Sequence, residues 1–152
     1  MKLKLAFAAL AALTVGGVAA PGDTLHYAAL AENIEGSWSG VAVADQPSYA
    51  AAQKAALEKC GSPSCEVVLI FSGKICGSFH RANDAGYETR AFGWATEPKL
   101  ADATARSLQK CSAELYTGES CVHQIKVCNR SGGPGGQVEY SINDTLDEEE
   151  DW

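Results

Sequence analysis

The stretch Ala44-Asp45-Gln46-Pro47-Ser48-Tyr49-Ala50-Ala51-Ala52-Gln53-Lys54-Ala55-Ala56-Leu57-Glu58-Lys59-Cys60 decides how this chain is organised, because it occurs twice. It aligns without a gap on Ala95 to Cys111, at an offset of 51. Seven pairs are identical: Ala44/Ala95, Pro47/Pro98, Ala50/Ala101, Ala52/Ala103, Leu57/Leu108, Lys59/Lys110 and Cys60/Cys111. Further on, Cys65 is answered by Cys121 and Cys76 by Cys128. Two copies are too few for a solenoid, so the repeat predicts one pseudo-symmetric domain.

Within each copy the residues lay out a plan. Tyr49 to Cys60 and Leu100 to Cys111 place apolar side chains at helical spacing in alanine- and leucine-rich segments. Asp45 and Thr96, two residues before a proline, are the expected N-caps, and Gly61 with Pro63 ends the first helix. Cys65 to Ser72 is unbroken in its apolar run from Val67 to Phe71 and reads as a buried strand, whereas Cys121 to Cys128 alternates and reads as half exposed. Short strands precede the helices at Trp38 to Ala44 and Tyr87 to Ala95. Ile75 to Arg81 forms a hairpin with the latter through Asn83-Asp84-Ala85-Gly86. The expected fold is α+β: two pseudo-symmetric strand–helix–strand repeats, with two helices packed on a mostly antiparallel sheet and stapled by disulfides. Gln137 to Ile142 adds a candidate edge strand.

Outward from this core, residues 1–20 read as a secretory signal. Lys2 and Lys4 precede an apolar run from Leu5 to Val18, and small residues follow at Gly17, Ala19 and Ala20. Its removal deepens the net charge from −7 to −9. Residues 21–35 read as an N-terminal extension, 36–130 as the two-repeat domain, and 131–152 as a Gly-rich linker with an acidic tail. Asp144, Asp147, Glu148, Glu149, Glu150 and Asp151 hold much of the acidity, so the body is near neutral. A nucleic-acid partner is not expected, because phosphate contacts need clustered Lys and Arg. Secretion to the extracellular space, with no membrane attachment once the signal is cleaved, is the expected location.

Six cysteines in an exported chain of this size point to disulfides. No C-x-x-C occurs, which argues against both a zinc site and a redox-active pair. No metal or cofactor is expected. Six cysteines allow 15 pairings. Symmetry favours Cys60–Cys65 and Cys111–Cys121 as local bridges, leaving Cys76–Cys128 to tie the two halves together near the pseudo-axis.

These motifs are similar to those of an exported family, the domain of unknown function 4189. The resemblance rests on Trp38 to Ala42, Ala52-x-x-x-Ala56-Leu57-x-x-Cys60, Cys65 to Phe71, Phe92 to Ala95, Ala103 to Cys111 and Cys121 to Cys128. It implies a secreted protein built from a repeat, in a family where some members are treated as effectors. It supplies no catalytic residues, and the acidic tail departs from the usual pattern.

Candidate chemistry is sparse. His80, Arg81, Glu88 and Arg90 cluster around the predicted hairpin and form a possible binding surface; with His123 added they resemble the acid–base pair and phosphate-binding cation of a ribonuclease. The ordinary role of such residues is a solvated polar hairpin, and that of His123 a hydrogen-bonded, partly buried imidazole. His26 falls in the N-terminal extension. Trp38, Trp94, Phe92 and Tyr87, at strand spacing, are expected mainly in the core. Asn129-Arg130-Ser131 and Asn143-Asp144-Thr145 match the glycosylation acceptor pattern. The reading is therefore a secreted, non-enzymatic binding or effector module for an unidentified extracellular or host protein. A small secreted hydrolase, ribonuclease-like and using His80, Glu88, Arg90 and His123, is the alternative.

Overall fold

A computed structural model describes residues 25–33, 35, 38–83, 91–130 and 136–142. The signal segment, the tip of the predicted hairpin with Tyr87, Glu88 and Arg90, most of the Gly-rich linker and the acidic tail lie outside these residues.

The elements run β1 (Tyr27–Asn33), β2 (Ser39–Gln46), α1 (Tyr49–Cys60), β3 (Cys65–Gly73), β4 (Cys76–Ala82), β5 (Phe92–Glu97), α2 (Leu100–Ala113), β6 (Cys121–Cys128) and β7 (Gly136–Ser141). Two helices on antiparallel strands give the α+β class expected. The strands divide into two sheets, ordered β2-β1-β3-β7 and β5-β4-β6.

This order reveals the duplicated unit. It is strand–strand–helix–strand, with the first strand central and the other two on its flanks: β2-β1-β3 in one sheet, β5-β4-β6 in the other. The repeat read from sequence lacks the first strand of the first copy. Residues 21–35 are more than an extension, because β1 runs through the middle of its sheet with Ala28 to Glu32 buried.

Layer order follows from which side chains meet. Ala29, Ala31, Val67 and Ile70 face Ala52 and Ala56 of α1, where small residues on both sides let the helix lie close. Ala28, Leu30, Val68, Leu69 and Phe71 face Phe79 and Ile125 of the second sheet. A Cβ on Gly77 would fall 2.2 Å from the Phe71 ring, so glycine is needed where the sheets meet. On the far side, α2 buries Ala103, Ser107 and Cys111. A Cβ on Gly93 would sit 2.3 Å from the backbone nitrogen of Cys111. The layers are thus α1, first sheet, second sheet, α2.

Helix ends differ from expectation. Ser48, not Asp45, caps α1: its Oγ accepts from the Ala51 N–H at 3.1 Å. Gly61 closes the helix in the left-handed region (φ 73°), donating its N–H to the Leu57 carbonyl. Thr96 lies within β5, and the N-cap of α2 is Lys99, which makes no side-chain cap hydrogen bond. Asp45 itself has φ 55° where the β1–β2 register shifts, and its Oδ1 accepts from the Arg130 N–H at 2.8 Å.

The bridges are Cys60–Cys65, Cys76–Cys128 and Cys111–Cys121, the pairing that symmetry favours. The role expected for one of them needs correction. Cys76 and Cys128 stand opposite each other on β4 and β6, so that bridge is a cross-strand staple inside the second sheet. No disulfide links the two units.

Candidate functional site

His80 and Arg81 are consecutive on β4, so their side chains leave opposite faces of the sheet. They cannot share one binding surface, and both are buried, at 5 % and 6 % exposure.

His80 points under α2. Its Nδ1 lies 2.7 Å from Ser107 Oγ, and its Nε2 lies 3.1 Å from Gln124 Nε2. An amide nitrogen only donates, so Nε2 must accept, and the ring is the neutral Nδ1–H tautomer donating to Ser107. The Ser107 hydroxyl has Ser78 Oγ at 2.9 Å and the Thr104 carbonyl at 3.0 Å as acceptors. A histidine activating a serine must accept that serine's proton; here the hydrogen bond runs the other way. Burial, with Lys126 as a smaller contributor, holds the His80 pKa below its ordinary value. Protonation would also set an Nε2–H against the Gln124 donor.

Arg81 points between the sheets. Its Nε donates to Glu32 Oε2 at 3.0 Å and its terminal nitrogen to Glu32 Oε1, a bidentate pair with Glu32 only 3 % exposed. The guanidinium also lies 5.0 Å from the ring centre of Trp38, 5.4 Å from Phe79 and 5.5 Å from Phe92. Burial raises the Glu32 carboxyl above its ordinary pKa, while the bond to Arg81 opposes that shift. Glu32 and Arg81 are the penultimate residues of the two central strands. The charge pair therefore does what Cys76–Cys128 was expected to do: it joins the halves.

His123 stands opposite Arg81 in register, on the same face, and its ring is 5.9 Å from Trp38. It helps line a cavity of about 80 Å³ with Glu32, Trp38, Phe79, Gln124 and Ile125. The structure thus brings Arg81 and His123 together and separates His80 from both. Phe92 and Trp94 pack against the inter-sheet core, as expected of aromatic residues at strand spacing.

Asn129, read as a glycosylation acceptor, is only 3 % exposed. Its Oδ1 accepts from the Asp45 N–H and its Nδ2 donates to the His26 carbonyl. The side chain is committed to holding strand ends together. No cluster of three metal-ligating side chains occurs among the described residues.

A larger concavity lies elsewhere, between α1 and the β3–β7 side of the first sheet. It is a groove of about 370 Å³ whose lining includes Tyr49, Gln53, Leu57, Glu66, Ile70 and Tyr140. Sequence reasoning missed it because it closes only when Tyr140, 70 residues beyond Ile70, is brought beside α1 and β3. Ser107 was more accessible to inference, since the repeat aligns it with the buried Ala56. A hydroxyl replacing a methyl at a buried position implies a polar partner beneath the helix.

The family model for a domain of unknown function (DUF4189) matches residues 27–128, more than half of the chain. The chain belongs to the DUF4189 family. No curated protein and no solved structure matches it. The DUF4189 match opens at the start of β1 and closes at the end of β6, so it spans both units and stops before β7.

Proposed function

We propose that this DUF4189 domain is a secreted, non-catalytic binding module that presents a rigid surface to an extracellular or host protein. One observation carries the reading: His80, the buried histidine of the acid–base alternative, is committed to the packing, as is its neighbour Arg81. Both ring nitrogens of His80 are occupied under α2, and the fork of Arg81 is held by Glu32. Three disulfides suit an oxidising compartment, and no described helix is long and apolar enough to cross a membrane.

The test is incubation of purified, oxidised protein with RNA over a broad pH range, beside His80→Ala and His123→Ala. The expected result is no hydrolysis by any of the three. Turnover by the parent protein that disappears in His123→Ala would overturn the reading in favour of a nuclease.

A further inference from the structure

The two units are alike in strand order, and they differ in what lies beside the third strand. In the second sheet, α2 lies over three strands and, among the described residues, no further strand pairs beyond β6. In the first sheet, β7 adds a fourth strand beyond β3, while α1 lies over β1, β2 and β3. The helix leaves a trough over the added strand, and that trough is the 370 Å³ groove. This volume falls in the range of small-molecule sites. Tyr140, on the far wall, belongs to β7 and lies beyond the family match, so the groove is a feature added to the duplicated scaffold.

Its chemistry is specific in three respects. The floor is apolar, with Ile70 fully buried and Val67 9 % exposed. Two tyrosines from different elements, Tyr49 at the start of α1 and Tyr140 opposite Ile70, pack at the border of the core beneath α1. Among the described residues, Glu66 is the one charged residue of the lining; it is exposed, and its carboxylate makes no hydrogen bond or ion pair with them. Lys54, the residue after Gln53 on α1, is paired with Glu58, at 3.7 Å. Aromatic faces attract cations through the negative face of the ring, and a carboxylate at the same site adds a charge partner.

We infer that the groove between α1 and the β3–β7 edge binds a small organic cation, an amine with an apolar body, whose ammonium group meets Glu66 between Tyr49 and Tyr140. This assignment rests on the binding reading above and names a ligand class for it.

Three probes of matched shape test it: 2-phenylethylamine, the neutral 2-phenylethanol, and the anion 3-phenylpropionate. Each is titrated into the oxidised full chain, with chemical-shift changes and calorimetry as readouts. The amine is expected to bind at least tenfold more tightly than the alcohol, with the anion weakest, and to weaken as salt is raised. Glu66→Gln should erase the preference for the amine over the alcohol, and Tyr140→Ala should weaken both. Equal binding of amine and alcohol, binding indifferent to Glu66→Gln, preference for a neutral disaccharide included as a fourth probe, or no binding of any probe would each overturn the assignment. Unchanged disulfides and far-ultraviolet spectra in the variants establish that they are folded. RNA hydrolysis would overturn the binding reading itself, whereas failed amine binding without hydrolysis overturns only the ligand class.

Discussion

At the scale of single residues, the structure takes His80 and Arg81 out of the candidate surface and places them in two buried polar assemblies. Glu32 and Arg81 lose their water on folding and are compensated chiefly by each other, so removing one leaves a poorly compensated charge between the sheets. Arg81→Met alone, or Glu32→Leu alone, is expected to cost about 3–5 kcal/mol. The double variant should regain most of that loss, and urea denaturation of the four proteins completes the cycle. His80 gives a different signature. Its pKa is lowered in the folded state, so between that value and the ordinary 6.5 the unfolded chain binds more protons. Its stabilising contribution is complete above pH 6.5 and is lost as the pH falls below it. Thermal melts of the parent protein should lose ground to His80→Gln as the pH is lowered through this range. A gap that stays constant or widens would contradict a buried neutral imidazole. Neither assembly was legible at this scale. The positions of His80 and Arg81 on one strand could be read, but not their partners, which lie 49 residues away on β1 for Arg81 and 27 away on α2 for His80.

At the scale of elements, helices were the most legible parts, because two aligned copies with the same spacing reinforce each other. The expected bounds of α1 are the observed ones, and α2 runs on to Ala113. The central strand β1 escaped notice for a physical reason. Tyr27-Ala28-Ala29-Leu30-Ala31-Glu32-Asn33 is buried on both faces and so lacks alternation, and its alanines are helix formers. They are tolerated in a strand because Ala29 and Ala31 must leave room for Ala52 and Ala56 of the helix above. The caps were misplaced because a proline signal fixes only the region of a helix start, and the first residue with extended geometry and a usable oxygen was Ser48. That same rule predicts an asymmetry between the helices. Ser48→Ala should destabilise the fold by about 1 kcal/mol, while Lys99→Ser, which gives α2 the cap it lacks, should stabilise it by a similar amount. Chemical denaturation of both variants checks the pair, and a neutral or unfavourable Lys99→Ser would show that the start of α2 is held by other contacts.

At the scale of the whole molecule, the doubled framework makes the cysteine pairing readable while hiding its purpose. Symmetry chose the right partners for Cys76 and Cys128, yet the two lie in one unit because the repeat begins one strand earlier than the sequence match. The halves are held instead by the Glu32–Arg81 pair, by the inter-sheet core, and by β7, which leaves the second unit and joins the first sheet at β3. The three disulfides therefore stabilise units rather than their union, each according to the chain it closes. Cys76–Cys128 spans a separation of 52 residues, against 5 for Cys60–Cys65. Loop-closure entropy assigns about 4 kcal/mol to the former and about 2 kcal/mol to the latter. Replacing Cys76 and Cys128 by alanine should lower stability roughly twice as much as replacing Cys60 and Cys65. Because the long bridge lies inside the second sheet, hydrogen exchange in the Cys76→Ala/Cys128→Ala protein should accelerate first in β4 and β6. Protection in β1 and β3 should persist until global unfolding. Uniform loss of protection across both sheets would mean that the units do not keep separate stabilities, and that the inter-sheet contacts alone set the cooperativity of the domain.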